Sequence, residues 1–163
     1  MAIRRMNHAV LYVRDAARSA AFYRDVLGFR DVHTFPGGAF LQAPDSTNDH
    51  DIAFFSIGED ARPSPAGAGG AVGLYHVAWE VGTLTDLVEL RDRLQAAGAL
   101  VGASDHGTTK SLYAKDPDGL EFEVCWVVPA DHLDPAAGLS PRPLPLDLDR
   151  EIAAYGAATA GGR

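Results

Sequence analysis

The sequence predicts an α+β fold built from two βαβββ modules, and three observations carry that prediction. A short apolar strand headed by a histidine occurs twice, as NHAVLYV at residues 7–13 and YHVAWEV at 75–81, and aligning His8 with His76 also aligns Val13 with Val81. Each strand leads into an amphipathic helical pattern, and each helix into three strand-like runs. The modules span about residues 5–58 and 73–128. A Pro-, Ala- and Gly-rich linker at 59–72 joins them, and an extension with a short helix occupies 131–163.

The first helix is expected over RDAARSAAFYRDVLGF. Asp15 can cap its exposed N–H groups, Phe22, Tyr23, Val26 and Leu27 form its apolar stripe, and Gly28 supplies a left-handed stop. Strands follow at DVHTF, GAFLQAP and DIAFFSIG. The second helix lies in TLTDLVELRDRLQAAGA, capped by Thr83 or Thr85, with Leu84, Leu87, Val88, Arg91 and Leu94 at helical spacing and Gly98 at its end. Strands then follow at ALVGAS, SLYAKD and LEFEVCW. After Trp126 the prolines exclude a core element, and DLDREIAAYG, with Leu148, Ile152 and Tyr155 on one side, forms a terminal helix.

Composition bounds the chemistry. A chain of 163 residues that is 47% hydrophobic can bury a core, and a net charge of −8 argues against nucleic-acid or anionic-membrane partners. The single cysteine excludes an internal disulfide framework and suits the cytoplasm, and MAIRRMNHAVLYV is too short in its apolar run for a signal peptide or membrane span.

Strand periodicity then sorts the side chains. After the turn Asp116-Pro117-Asp118-Gly119, one face carries Leu120, Phe122, Val124 and Trp126, the other Glu121, Glu123 and Cys125. His8, Val10 and Tyr12 share a face in the first strand, and His76, Ala78 and Glu80 in its repeat. The apolar faces suit the helices, so the other faces are expected to form a curved mixed sheet around a metal-binding cavity. His8, His76 and Glu123 would make a 2-His-1-carboxylate set suited to Fe(II), although a single strand histidine more often plays a structural role. Cys125 reads as a small buried hydrophobe, and Glu80, His33 and His132 as surface residues.

The repeated module, the leading histidines and the closing DPDGLEFE resemble the vicinal-oxygen-chelate superfamily. That superfamily comprises glyoxalases, extradiol dioxygenases, epimerases and antibiotic-resistance proteins. The resemblance covers roughly residues 5–127 and falls nearest the catechol 2,3-dioxygenase-like branch. It implies one such domain over 1–130, with Fe(II), Mn(II) or another divalent ion on His8, His76 and Glu123. It implies an aromatic small molecule and O₂ as reactants, with a homodimer common among such proteins. By the same comparison His50, in HDIAFF, is the acid–base group that takes and returns a substrate proton. Tyr113, ten positions before the carboxylate, and His106, in SDHGTTKSLY, hydrogen-bond around the metal. Two alternatives stay open: a glyoxalase- or epimerase-like metal-dependent isomerase, and a metal-free drug-sequestering protein. The isomerases usually carry a fourth protein ligand, and Phe54 falls near where the repeat would put it. Val10, Tyr12, Ile52 and Phe54 are expected to line the pocket, and Glu121 to sit at the solvent edge.

Overall fold

The computed structural model describes residues 2–62, 72–133 and 143–162. The linker expected at 59–72 therefore lies largely outside the described residues. Within them the chain forms two compact units, each containing one βαβββ module, with the Asp116–Gly119 turn belonging to the first.

In the first unit, β1 (Ala9–Val13), α1 (Ala16–Leu27), β2 (Arg30–Phe35), β3 (Gly38–Gln42) and β4 (Ile52–Ser56) make a mixed sheet ordered β1-β4-β3-β2. β1 and β4 are parallel and the other pairs antiparallel. Asp15 caps α1 as expected, accepting from the N–H groups of Ala17 at 2.8 Å and Arg18 at 3.3 Å. Gly28 ends the helix at φ 80°, a conformation that costs other residues a Cβ clash. The helix buries Ala16, Ala20, Tyr23 and Leu27, and the Tyr23 ring packs 5.0 Å from Phe54 of β4.

The second unit repeats the pattern with β5 (Val77–Glu80), α2 (Leu84–Ala96), β6 (Leu100–Asp105), β7 (Thr109–Lys115) and β8 (Glu121–Val127), ordered β5-β8-β7-β6. Thr83 caps α2 in a reciprocal box with Asp86, which settles the choice between Thr83 and Thr85. Leu84, Leu87 and Leu94 are fully buried on the helix side of the sheet, with Leu112, Phe122, Val124 and Trp126. Truncating any of these large core side chains to alanine would cost about 2–5 kcal/mol. The alternation in LEFEVCW is thus realised as a strand with one fully buried face.

The extension adds what the sequence pattern did not show. A two-residue strand, β9 (Leu144–Pro145), pairs with the outer edge of β6, where a proline without an N–H is tolerated. Helix α3 (Leu148–Tyr155) packs beside α2, and the Tyr155 ring lies 5.4 Å from Trp126. Residues beyond it bond to the second unit through Thr85 N–H to Ala157 O, Gly161 N–H to Gly82 O and Gly162 N–H to Val127 O.

Candidate metal and substrate site

Parallel pairing of β5 with β8 sets Ala78 opposite Glu123, and His76 immediately precedes β5. This brings His76 Nε2 to 3.1 Å from Glu123 Oε2, with both side chains mostly shielded. Two donors bound to one ion at right angles, each at about 2.1 Å, stand about 3 Å apart, so the pair fits adjacent ligand positions. Nδ1 of His76 is buried without a hydrogen-bond partner among the described residues. Among the described residues, no three His, Cys, Asp or Glu side chains gather as a complete metal cluster. His76 and Glu123 belong to the second unit and His8 to the first.

Antiparallel pairing of β7 with β8 places Tyr113 directly opposite Glu123, on the same sheet face. The Tyr113 ring lies 6.0 Å from that of His76, and its hydroxyl shares a 2.8 Å hydrogen bond with His106 Nε2. Burial, then the nearby Glu123 carboxylate, push the Tyr113 phenol up to about 12. It is therefore a neutral hydrogen-bonding group at physiological pH.

His8 and His50 come together in the first unit, their rings 4.4 Å apart. Nδ1 of His8 meets the Asn7 side-chain oxygen at 2.7 Å, and Nδ1 of His50 meets Asp49 Oδ2 at 2.9 Å. The Asn7 oxygen and the Asp49 carboxylate are acceptors, so each Nδ1 donates, and a neutral ring held this way has its lone pair on Nε2. That is the tautomer a metal ligand or a general base requires. The loop bearing His50 is held by the buried Asp51 carboxylate, which accepts from Ala43 N at 2.8 Å, Ser46 Oγ at 2.7 Å and Asn48 Nδ2 at 2.7 Å. Asn48 also donates to the Asn7 carbonyl at 2.7 Å, tying the two histidine-bearing segments together. No local sequence pattern signals this network.

Two pocket residues expected from the sequence are core residues instead. His50 precedes β4 and the chain bends at Asp51, so strand parity does not extend to it; its ring packs against Phe40, 5.0 Å away. Ile52 and Phe54 are fully buried, Phe54 against Tyr23 of α1. Val10 and Tyr12 are exposed. The strand registers also correct the counterpart of Glu123: Val10 pairs with Ala53 just as Ala78 pairs with Glu123. The repeat therefore equates Glu123 with Ala53 rather than Phe54, and alanine supplies no donor.

The remaining polar residues fall into place around these. Glu121 is half-buried rather than at the solvent edge, and its carboxylate raises the Tyr75 phenol. Burial pushes the Cys125 thiol up to about 12, which keeps it protonated and suits a packing role. Glu80 and His33 are exposed.

Each unit thus repeats a βαβββ architecture with a histidine before its first strand, and the second carries the Glu123 carboxylate on its last strand. The profile of the Glyoxalase/Bleomycin resistance protein/Dioxygenase superfamily matches residues 5–124, and the chain belongs to that superfamily. Biphenyl-2,3-diol 1,2-dioxygenase 3 of Rhodococcus globerulus is 34% identical over 121 residues, covering 74% of this chain and 62% of that enzyme. The chain thus spans about three fifths of that relative's length. Lactoylglutathione lyase of Neisseria meningitidis is 30% identical over 126 residues, covering 73% of this chain and 88% of that one. A solved glyoxylase/bleomycin resistance protein/dioxygenase domain from Frankia shares the fold with a TM-score of 0.63, 21% identity, and 81% and 98% of the two chains covered. No helix among the described residues is long and apolar enough to cross a membrane.

Proposed function

We propose that this protein is a metal-dependent extradiol-type dioxygenase that opens a catecholic aromatic ring with O₂. The observation that carries the reading is the His76–Glu123 pair at ligand spacing, with Tyr113 set opposite Glu123 and bonded to His106. His76 and Glu123 supply two ligands and His8, an exposed residue with Nδ1 on the Asn7 oxygen, the third. A ferrous ion held there would acidify the two catechol oxygens, hold them and provide an adjacent position for O₂.

The protein's own groups do the rest. His50, with Nδ1 fixed on Asp49, uses Nε2 to take the proton of the second substrate hydroxyl and later to return it. Tyr113 keeps its proton and donates or accepts at a substrate oxygen without changing charge, and His106 fixes the direction of that hydroxyl. Ferrous iron and the free Cys125 both suit a reducing cytoplasm.

The similarity to a lactoylglutathione lyase favours a second reading, a metal-dependent isomerase. Ala53 weighs against it, because a fourth protein ligand expected at the place equivalent to Glu123 has no donor atom there. Anaerobic loading with Fe(II), followed by O₂ uptake on a panel of catechols, separates the two. A yellow ring-opened product formed with one O₂ consumed per substrate supports the dioxygenase. Turnover of an α-hydroxy carbonyl substrate without O₂ uptake would overturn it.

A further inference from the structure

The family match ends at residue 124, so the extension lies outside the matched segment. Its described part grips one small region of the second unit. Lys110, 3% exposed, donates from Nζ to Asp105 Oδ1 at 2.6 Å and stands 2.9 Å from Glu151 Oε2 of α3. The same ammonium lies 5.6 Å over the Tyr155 ring. Arg150 Nη2 reaches Asp105 Oδ2 at 3.3 Å and Glu151 Oε1 at 2.8 Å. Two cations thus face two carboxylates, a balanced and largely buried cluster. β9 meanwhile pairs with Ser104 and Asp105 along the edge of β6.

Asp105 and Lys110 are cross-strand partners that close the turn between β6 and β7. Asp105 Oδ1 also accepts the Gly107 N–H at 2.8 Å, and His106 N–H bonds to Thr109 O at 2.9 Å. His106 therefore rides on a turn whose two ends are clamped by residues from the extension. Buried ion pairs often add little net stability over apolar packing, but their directional bonds restrict geometry.

We infer that the extension is a positioning device: Glu151 and Arg150, acting through Lys110 and Asp105, hold the His106 turn so that its imidazole meets the Tyr113 hydroxyl. The effect on turnover rests on the dioxygenase reading, whereas the effect on His106 rests on geometry alone. Glu151 and Arg150 touch no reacting atom and are positioning residues.

The test uses the full chain with Glu151→Gln and the milder, more exposed Arg150→Ala. Side-chain ¹H–¹⁵N spectra of the metal-free protein report the His106 ring nitrogens directly. Both variants should shift the His106 Nε2 resonance, Glu151→Gln more, while near-UV circular dichroism stays native. In the Fe(II)-loaded protein, kcat on a catechol should fall about tenfold with KM changed less than about twofold. Glu151→Gln should add no further loss in a His106→Gln background, since coupled residues are not additive. Unmoved His106 resonances in both folded variants would overturn the inference, as would fully additive losses. Shifted resonances in a protein that turns over no catechol would sustain the positioning role and sink the dioxygenase reading.

Discussion

Nε2 of His76, just before β5, and Oε2 of Glu123 on the adjoining parallel β8 stand 3.1 Å apart, a spacing that serves either a hydrogen bond or two ligands of one ion. Glu123→Gln separates the two uses. The amide keeps the shape and still accepts a hydrogen bond, but loses the charge that a divalent ion needs. Iron retained after anaerobic loading and desalting should fall at least about tenfold. Full retention would remove Glu123 from the ligand set, and the same measurement on His8→Ala tests whether His8 belongs to that set.

Tyr113→Phe deletes one oxygen, the one that meets His106 at 2.8 Å, and leaves the ring in place. With the phenol pushed up to about 12, that oxygen acts as a neutral hydrogen-bonding group rather than a base throughout the physiological range. The expected result is a drop in kcat of about ten- to a hundredfold with KM nearly unchanged, read by O₂ uptake. An unaltered kcat would leave Tyr113 as a packing residue.

What the sequence disclosed, and what it withheld, follows from the range of each interaction. Caps at Asp15 and Thr83, the left-handed Gly28 and the two-residue alternation of β8 are local, so a few neighbouring residues reveal them. His76, Glu123, Tyr113 and His106 were likewise legible as candidates, and strand registers bring those four together in one unit. Strand periodicity does not reach His50, which precedes β4 beyond the bend at Asp51, and the repeat pointed to Phe54 where the register sets Ala53 against Val10. The pairing of Lys110 with Glu151 and of β9 with β6 joins residues about forty positions apart, and no periodicity encodes such meetings.

The DPDG turn carries a stability prediction. Asp118 is 7% exposed; it accepts Arg14 N at 2.7 Å, and ion-pairs with Arg14 at 3.1 Å and Arg18 at 2.6 Å. Asp118→Ala leaves the two guanidinium groups without that carboxylate and the Arg14 N–H without its acceptor. Because both arginines retain contact with solvent, the expected loss is about 2 kcal/mol, below that of a fully buried pair. Urea unfolding would show it as a lower midpoint at unchanged slope, and a loss under about 0.5 kcal/mol would assign the turn's order to its backbone alone.

The ion cluster under α3 should make stability depend on acidity. Burial alone would raise the Asp105 carboxyl, but the Lys110 ammonium, the Gly107 N–H and the Arg150 guanidinium outweigh it and hold the group below the usual carboxylate range. A depressed native value means that its contribution is present above the unfolded value of about 4 and disappears as pH falls through the native one. Lys110 is the opposite case. Burial pulls its ammonium down, Asp105 and Glu151 more than reverse this, and the resulting contribution persists until pH climbs through the raised native value. Both contributions are therefore complete near neutrality, and acid removes the carboxylate's first. Lys110→Met keeps the buried stem and deletes the charge, so its Tm should lie well below that of the unaltered protein at pH 7. As pH falls from about 5 toward 2 the two melting curves should draw together, because the contribution of the Asp105 carboxylate fades below its unfolded value and the substitution then removes less. A Tm difference that stays constant across that interval, measured by circular dichroism, would show that Lys110 contributes through packing rather than through its bond to Asp105.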